Sequence, residues 1–143
     1  MSQASNYCET ALGKALLGIA GGNFGTLSAG PTIYIALLLA PATDEDTGAT
    51  LTEPSYTGYA RVAHSAWAEQ LGVPGTFDNT GAITFVTLPG GSPAESVVGF
   101  ALVDKDTPNK ATSNVICYGT ASLAIDDGIT PQFADGALLV RIG

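Results

Sequence analysis

Hydrophobic and polar positions follow two different patterns along this chain, and the pattern changes near residue 30. Between Leu12 and Ile19, apolar residues recur three and four positions apart, which is the spacing of one face of an α-helix. Asn6 and Glu9 have the spacing of a capping box, and the glycine pair at 21–22 is typical of a helix end. The pattern therefore predicts one N-terminal helix followed by a glycine-rich hinge.

The predicted helix carries an apolar stripe formed by Leu12, Ala15, Leu16 and Ile19. Such a stripe is stable only when another surface covers it, and that surface can be the chain's own sheet or a neighbouring subunit. We interpret residues 1–25 as a candidate docking arm, running from Ser2 to Gly25, whose hinge lets it order on binding. Residues 26–143 then form the main domain.

Beyond residue 30 the sequence is typical of β-strands separated by turns that are rich in Gly, Pro and Asp. Residues 32–39 (TIYIALLL) are apolar on both faces, which predicts a central strand. Further strands are predicted over 59–65, 82–88, 96–103, 115–123 and 136–142. This arrangement favours a mainly β fold, an antiparallel β-sandwich of jelly-roll or Greek-key type with one N-terminal α-helix.

Length and charge narrow the range of functions. The chain has 143 residues, enough for one domain, with 13 acidic and five basic side chains and a net charge of −8. Because the basic residues are scattered and the net charge repels phosphate, we expect no nucleic-acid partner. The most apolar run, 33–42, is about half the length of a membrane-spanning helix, so we expect no membrane partner either.

Candidate catalytic and metal-binding residues are few. His64 is the single histidine, and no serine lies in a nucleophile elbow. Cys8, Cys117 and His64 lack the spacing of a zinc site, and we interpret the two cysteines as separate buried thiols of a protein made in a reducing cytosol. The acidic loops at 44–46 and 104–106 lack the ligand pattern of a calcium-binding EF-hand. We therefore expect a protein that is not an enzyme and holds no cofactor or metal.

An enzymatic alternative stays open in one form. A small carbohydrate-active enzyme would need two carboxyl groups about 5–10 Å apart in a cleft, and Glu53 and Asp78 are candidates for such a pair. The sequence itself shows neither a cleft nor the pairing.

Most aromatic residues lie within predicted strands, where packing in the core is the common role. Tyr56, Tyr59 and Trp67 lie outside the most apolar segments, and we expect them to be exposed. Together with the apolar positions of the N-terminal segment, they form our set of candidate partner-binding residues: Tyr7, Leu12, Leu16, Ile19, Tyr56, Tyr59 and Trp67.

Several short segments, taken in order, carry a resemblance to known proteins. They are 31–37 (PTIYIAL), 56–62 (YTGYARV), 82–85 (AITF), 98–104 (VGFALVD), 118–119 (YG) and 128–138 (GITPQFADGAL). Over nearly the whole chain this order resembles a family of small structural proteins of tailed bacteriophages. Members of that family are often labelled tail-fibre proteins, and similar small β proteins serve as head decoration or cement proteins.

The resemblance implies a virion subunit that is made in the cytoplasm of the host bacterium. Our first expectation is a capsid decoration (cement) protein on the outer face of the head. It would be a homotrimer that binds the major capsid protein and stabilises the lattice by binding only the assembled form. The alternative is a tail or tail-fibre component that contacts the host receptor through Tyr56, Tyr59 and Trp67.

Overall fold

A computed structural model describes residues 2–6 and 32–141 of the chain. This part is mainly β, with antiparallel sheets and one short 3-10 helix, η1. The elements are β1 Ser2–Ala4, β2 Tyr34–Leu38, β3 Val62–Ala63, β4 Trp67–Glu69, β5 Thr76–Asn79, β6 Ile83–Thr84, β7 Glu95–Val103, η1 Thr107–Thr112, β8 Val115–Ile125, β9 Gln132–Phe133 and β10 Leu139–Arg141. The predicted N-terminal helix, with Tyr7, Leu12, Leu16 and Ile19, lies outside the described residues.

The largest sheet has five strands in the order β1-β8-β7-β2-β3, with every neighbouring pair antiparallel. The long hairpin of β7 and β8 confirms the strands predicted over 96–103 and 115–123. The strand predicted over 32–39 is confirmed as β2, which lies between β7 and β3. Its residues 35–38 are buried on both faces, as the continuous apolar run requires.

Two smaller sheets have the orders β10-β5-β4 and β6-β9. Residues 82–88 were predicted as one strand, but only Ile83–Thr84 form regular pairs. The backbone N–H of Phe85 still donates to the carbonyl of Pro131, at 2.9 Å. Because proline has no N–H, Pro131 cannot return that bond, and the regular pairing ends there. No helix among the described residues is long and apolar enough to cross a membrane.

Both faces of the five-stranded sheet carry buried side chains around β2. On one face Ile35, Phe100 and Leu102 pack in a cluster with side chains of the smaller sheets, including Ile83 and Phe133. The opposite face carries a second cluster of small and branched side chains: Ala36, Leu38, Ala101, Val103 and Val115. Ala42 and Leu51 of the loop after β2 pack on this second cluster, so that loop is a covering layer in addition to an acidic surface.

The first residues of the chain differ from the predicted arm. Ser2–Ala4 form β1, which pairs with β8 in the register Ser2 to Gly119. Ser5 is buried, and its hydroxyl donates to the backbone carbonyl of Val115. Backbone groups on the outer edge of β8 need partners, and β1 supplies them. Residues 2–5 therefore belong to the sheet, and only the segment after Asn6 remains a candidate arm.

Candidate functional site

Tyr56 and Tyr59 lie in the connection between β2 and β3, and the expectation that they are exposed is wrong for Tyr56. That side chain is only 8% exposed, because the connection folds over the core. Its ring packs edge-to-face on Tyr59 at 5.6 Å, and its hydroxyl donates to the carbonyl of Val86 at 2.8 Å. Burial, together with the nearby Glu95 carboxylate, raises the pKa of Tyr56. This phenol is a structural anchor of the connection.

Tyr59 is half-buried and completes the hydrogen bonding of β2. Strand β3 pairs only with Tyr34 and Ile35, so the N–H of Leu37 needs another acceptor. The hydroxyl of Tyr59 accepts from that N–H at 3.0 Å and donates to the Glu53 carboxylate at 3.0 Å. Burial, and then the negative charge of Glu53, strongly raise the pKa of Tyr59. The phenol therefore stays protonated and takes the place of a missing strand residue.

A buried ion pair joins Glu53 to Arg61. The side chains of Arg61 and Glu53 are 0% and 4% exposed, and Nη2 of the arginine lies 2.6 Å from Oε1 of the glutamate. Arg61 also donates to the carbonyl of Lys105 at 2.9 Å, to that of Gly48 at 2.8 Å and to the Ser113 hydroxyl at 3.1 Å. One guanidinium thus ties together the loop after β2, the start of β3 and both sides of η1.

The two carboxylates of the enzymatic alternative lie in separate surroundings. Glu53 is bound by Arg61 and Tyr59 in the buried cluster. Asp78 lies on β5 and accepts from the Gln70 amide at 3.4 Å. His64 is also held locally, because its Nε2 lies 2.8 Å from the carbonyl of Ala66 and its ring packs edge-to-face on Trp67 at 5.2 Å. Each of these groups has a structural partner.

Acidic loop residues bind neighbouring backbone and hydroxyl groups. The Asp46 carboxylate accepts from the Thr50 hydroxyl at 2.7 Å and from the N–H of Thr43 at 2.7 Å, and the Thr50 bond is the main cause that lowers the pKa of Asp46. Burial opposes ionisation of Asp104, but hydrogen bonds from the backbone and side chain of Asn114 outweigh it and lower its pKa. Within residues 2–6 and 32–141, no three or more His, Cys, Asp or Glu side chains are grouped as a metal site.

Trp67 lies at an apolar groove, which we call the Trp67 groove. Its volume is about 210 Å³, and it is lined by Ala4, Ile33, Trp67, Phe77, Leu102, Ile116, Cys117, Val140 and Arg141. The side chain of Trp67 is partly exposed, and its indole nitrogen is buried without a hydrogen-bond partner among the described residues. Trp67, one of the three aromatic residues expected to contact partners, lines this surface depression.

A wider cleft, of about 470 Å³, lies where β8, β9 and β10 meet. Strand β8 bulges there, because its pairing with β7 changes from Val97 opposite Leu123 to Gly99 opposite Thr120. Residues at this bulge line the cleft, whose lining includes Thr120, Ala121, Ser122, Gln132, Phe133 and Leu139. The lining is mixed, with apolar and polar groups side by side.

The tip of the β4–β5 hairpin, which we define as Leu71 and Val73, exposes apolar side chains to water. Leu71 is fully exposed and Val73 is 44% exposed. Gly72 and Gly75 have positive φ angles of 84° and 74°, which glycine adopts without steric cost, so the turn holds both apolar residues outward. In the sequence, the signal for this tip is limited to two apolar residues among turn residues.

Comparison with known proteins identifies the family of this chain. A family model described as "Podophage GP4 fiber I protein gp80" matches residues 3–141. The chain belongs to this podophage fibre protein family. The match spans β2 to β10 and all of β1 except Ser2, and it confirms the resemblance to structural proteins of tailed phages. A search among curated proteins gave no significant match. The protein is therefore a structural protein of a phage virion.

Proposed function

We propose that this protein is a fibre subunit of the virion and acts by binding other virion subunits. The observation that carries the proposal is the match of residues 3–141 to a podophage fibre family. The packing of the five-stranded sheet against the two smaller sheets supports a sandwich architecture for such a subunit. The capsid decoration function expected from the sequence is the second candidate, and its support is the resemblance to small β decoration proteins together with the net charge of −8.

The hairpin tip is our candidate for the subunit contact. A fully exposed leucine on a turn is unfavourable in water, and burial of such a side chain contributes about 1.5–3 kcal/mol to an interface. The base of the hairpin is rigid, because the buried Asn79 amide donates to the carbonyls of Gly81 at 2.7 Å and Ala134 at 2.9 Å. Its oxygen accepts from the N–H of Leu138 at 2.8 Å. Leu71 is thus presented on a fixed support at little cost in conformational entropy.

A non-catalytic role is part of the proposal. The buried carboxylate of Glu53 is neutralised by Arg61 at 2.6 Å and is already bound by Tyr59. His64 binds a backbone carbonyl two residues away and packs against Trp67. General acid–base catalysis needs a titratable group within reach of a substrate, and these groups are engaged in holding loops.

The first test is the copy number of the chain per virion. Purified virions, isolated heads and isolated tails are compared by quantitative mass spectrometry against the major capsid protein. A fibre subunit is present in a small number of copies and fractionates with tails. A copy number close to that of the capsid protein, with recovery in heads, would replace the fibre proposal by decoration. Sedimentation of the purified chain tests the expected homotrimer in parallel.

The hairpin contact has its own test with a matched control. Leu71→Ser removes the exposed apolar side chain at the tip, and Val98→Ser makes the same kind of change at another exposed site, on β7. We expect Leu71→Ser to reduce incorporation into virions while Val98→Ser leaves it unchanged, with both purified variants as stable as the wild type. Equal incorporation of the two variants would remove the hairpin tip from the interface.

A further inference from the structure

Strand β4 is the outer strand of the three-stranded sheet, and one of its two edges has no neighbouring strand in the described part of the chain. On the edge that faces β5, the N–H of Gln70 donates to the carbonyl of Thr76 at 2.9 Å. Because bonded positions alternate along an antiparallel ladder, the backbone groups of Ala68 also point towards β5, whereas those of Trp67 and Glu69 point away from it. We call the N–H and carbonyl groups of Trp67 and Glu69 the free edge, since no hydrogen bond among the described residues reaches them.

The free edge lacks most of the features that protect edge strands. Proteins commonly protect an edge with lysine, proline, a bulge or a covering element. Strand β4 contains neither lysine nor proline, it pairs with β5 without a register shift, and its Ala68 and Glu69 are exposed. At the start of β3, by contrast, the N–H of Arg61 donates to the Thr107 hydroxyl at 2.7 Å. The free edge is short, but it is open to a strand from outside the chain.

The side chains along the free edge indicate which strand fits. Trp67 and Glu69 lie on one face of β4, because side chains alternate along a strand, and the exposed Leu71 follows at the same interval. Antiparallel pairing of two copies with Trp67 opposite Leu71 would place Glu69 opposite Glu69, and like charges opposite each other are destabilising. The net charge of −8 also opposes a second copy. The matching strand instead carries a basic residue between two apolar residues, each separated from it by one position.

We propose that the free edge of β4 is the docking site for an extended segment of another virion protein, which adds a fourth strand to the three-stranded sheet. The backbone of that segment pairs with Trp67 and Glu69, its basic side chain lies beside the Glu69 carboxylate, and an apolar side chain packs on Leu71. The N–H of Gly75 donates to Oε1 of Glu69 at 3.3 Å, which holds the carboxylate near the hairpin tip. This inference rests on the proposed function, in which the hairpin tip is a subunit contact.

A proline at position 69 tests the backbone pairing in the virion. Glu69→Pro removes an N–H that faces the free edge and leaves the bonds to β5 in place, and proline is tolerated on edge strands. Glu69→Gln is the matched control, because it removes the same charge and keeps the N–H. We expect Glu69→Pro to reduce incorporation by about tenfold or more, and Glu69→Gln by no more than about fivefold.

The outcomes separate this inference from the proposed function. Equal incorporation of a folded Glu69→Pro variant and Glu69→Gln would overturn strand addition. If Leu71→Ser still reduces incorporation in that case, the contact at the hairpin tip stands without an added strand. If purified wild-type chain self-associates and Glu69→Pro abolishes the association, the free edge binds a second copy and the proposal is wrong.

A titration in solution does not depend on the folding of the proline variant. The ¹⁵N-labelled full chain is mixed with millimolar concentrations of a capped peptide, valine-threonine-lysine-threonine-valine. We expect the amide signals of Trp67 and Glu69 to shift and to exchange more slowly with solvent, while the exchange of Ala68 is unchanged. The same peptide with a methyl group on the lysine backbone nitrogen is the control and is expected not to bind. Absence of shifts at Trp67 and Glu69, or equal binding of the methylated peptide, would overturn the proposal.

A charge reversal tests the preference for a basic residue. We expect Glu69→Lys to bind the peptide with glutamate in place of lysine more tightly than the original peptide. Glu45→Lys makes the same change in net charge at an exposed residue of another loop, and it is expected to keep the preference for lysine. The same preference in both variants would show that net charge, and not the Glu69 side chain, selects the segment, which would overturn the assignment of the basic position.

Discussion

Glu53→Ala is the perturbation that tests most sharply how the loop after β2 is held. It removes one partner of a buried ion pair and leaves the Arg61 guanidinium, whose side chain is 0% exposed, without its counter-charge. The remaining partners of Arg61 are two backbone carbonyls and the Ser113 hydroxyl, none of which carries charge. An uncompensated buried charge is strongly destabilising, so we expect the free energy of unfolding to decrease by about 3–5 kcal/mol.

The double variant Arg61→Met/Glu53→Met separates the charge from the packing. Both charges are gone, but the carbonyls of Gly48 and Lys105 and the Ser113 hydroxyl lose their donor. At about 1 kcal/mol for each lost bond, the double variant is expected to lose roughly 2–4 kcal/mol. Each single variant leaves one buried charge, so its free energy of unfolding is expected to decrease by as much as that of the double variant or more. The decreases of the two single variants therefore add up to far more than the decrease of the double variant, which corresponds to a coupling energy above about 1.5 kcal/mol.

Urea denaturation followed by circular dichroism measures these free energies. Glu45→Ala is the matched control, because Glu45 lies in the same loop and its side chain is exposed. We expect this variant to change the free energy of unfolding by no more than about 0.5 kcal/mol. A loss below about 1 kcal/mol for Glu53→Ala, or additive single variants, would refute the reasoning. Either result would mean that the pair is as well solvated as a surface salt bridge.

Two further predictions concern hydrogen bonds at the sheet and in the acidic loops. Tyr59→Phe leaves the N–H of Leu37 without its acceptor at 3.0 Å, and we expect a loss of about 1–3 kcal/mol in the same urea assay; a neutral result would mean that water replaces the phenol. The pKa values of Asp46 and Asp104 lie below the ordinary 3.8, so the stability they contribute is present above that pH and is lost as the pH falls through their folded values. We expect the urea concentration at half-unfolding to decrease as the pH is lowered below 3.8. Asp104→Asn is expected to make this decrease smaller.

Long strands could be predicted because their pattern is strong. Residues 32–39 are apolar at successive positions, and a strand buried on both faces is the arrangement that satisfies them. The strands predicted over 96–103 and 115–123 correspond to β7 and β8, whose ends shift by only one or two residues. Short strands carry too little pattern, and β4, β5 and β9 contain two to four residues each. Their pairing is decided by tertiary contacts.

The candidate site was harder to predict than the fold. Tyr56 and Tyr59 stand among turn residues, which favours exposure, yet their connection folds back over the core and buries Tyr56. Glu53 and Arg61 are eight positions apart in irregular structure, so no periodicity indicates that they meet. The exposed apolar tip at Leu71 also lacks a pattern, because its exposure depends on how the turn is aimed. Sequence periodicity indicates which residues share one face of a strand or helix, but it cannot predict contacts between loops.

Two apolar surfaces of the described residues differ in shape. The Trp67 groove is concave, and its lining includes Ala4, Ile33 and Trp67. Leu71 is fully exposed and projects from the end of a hairpin whose base is fixed by Asn79. Because a projecting apolar side chain gains most when a second surface buries it, this leucine suits contact with a neighbouring subunit. Changes at Leu71 should therefore leave the isolated protein unchanged and alter only its incorporation into the virion.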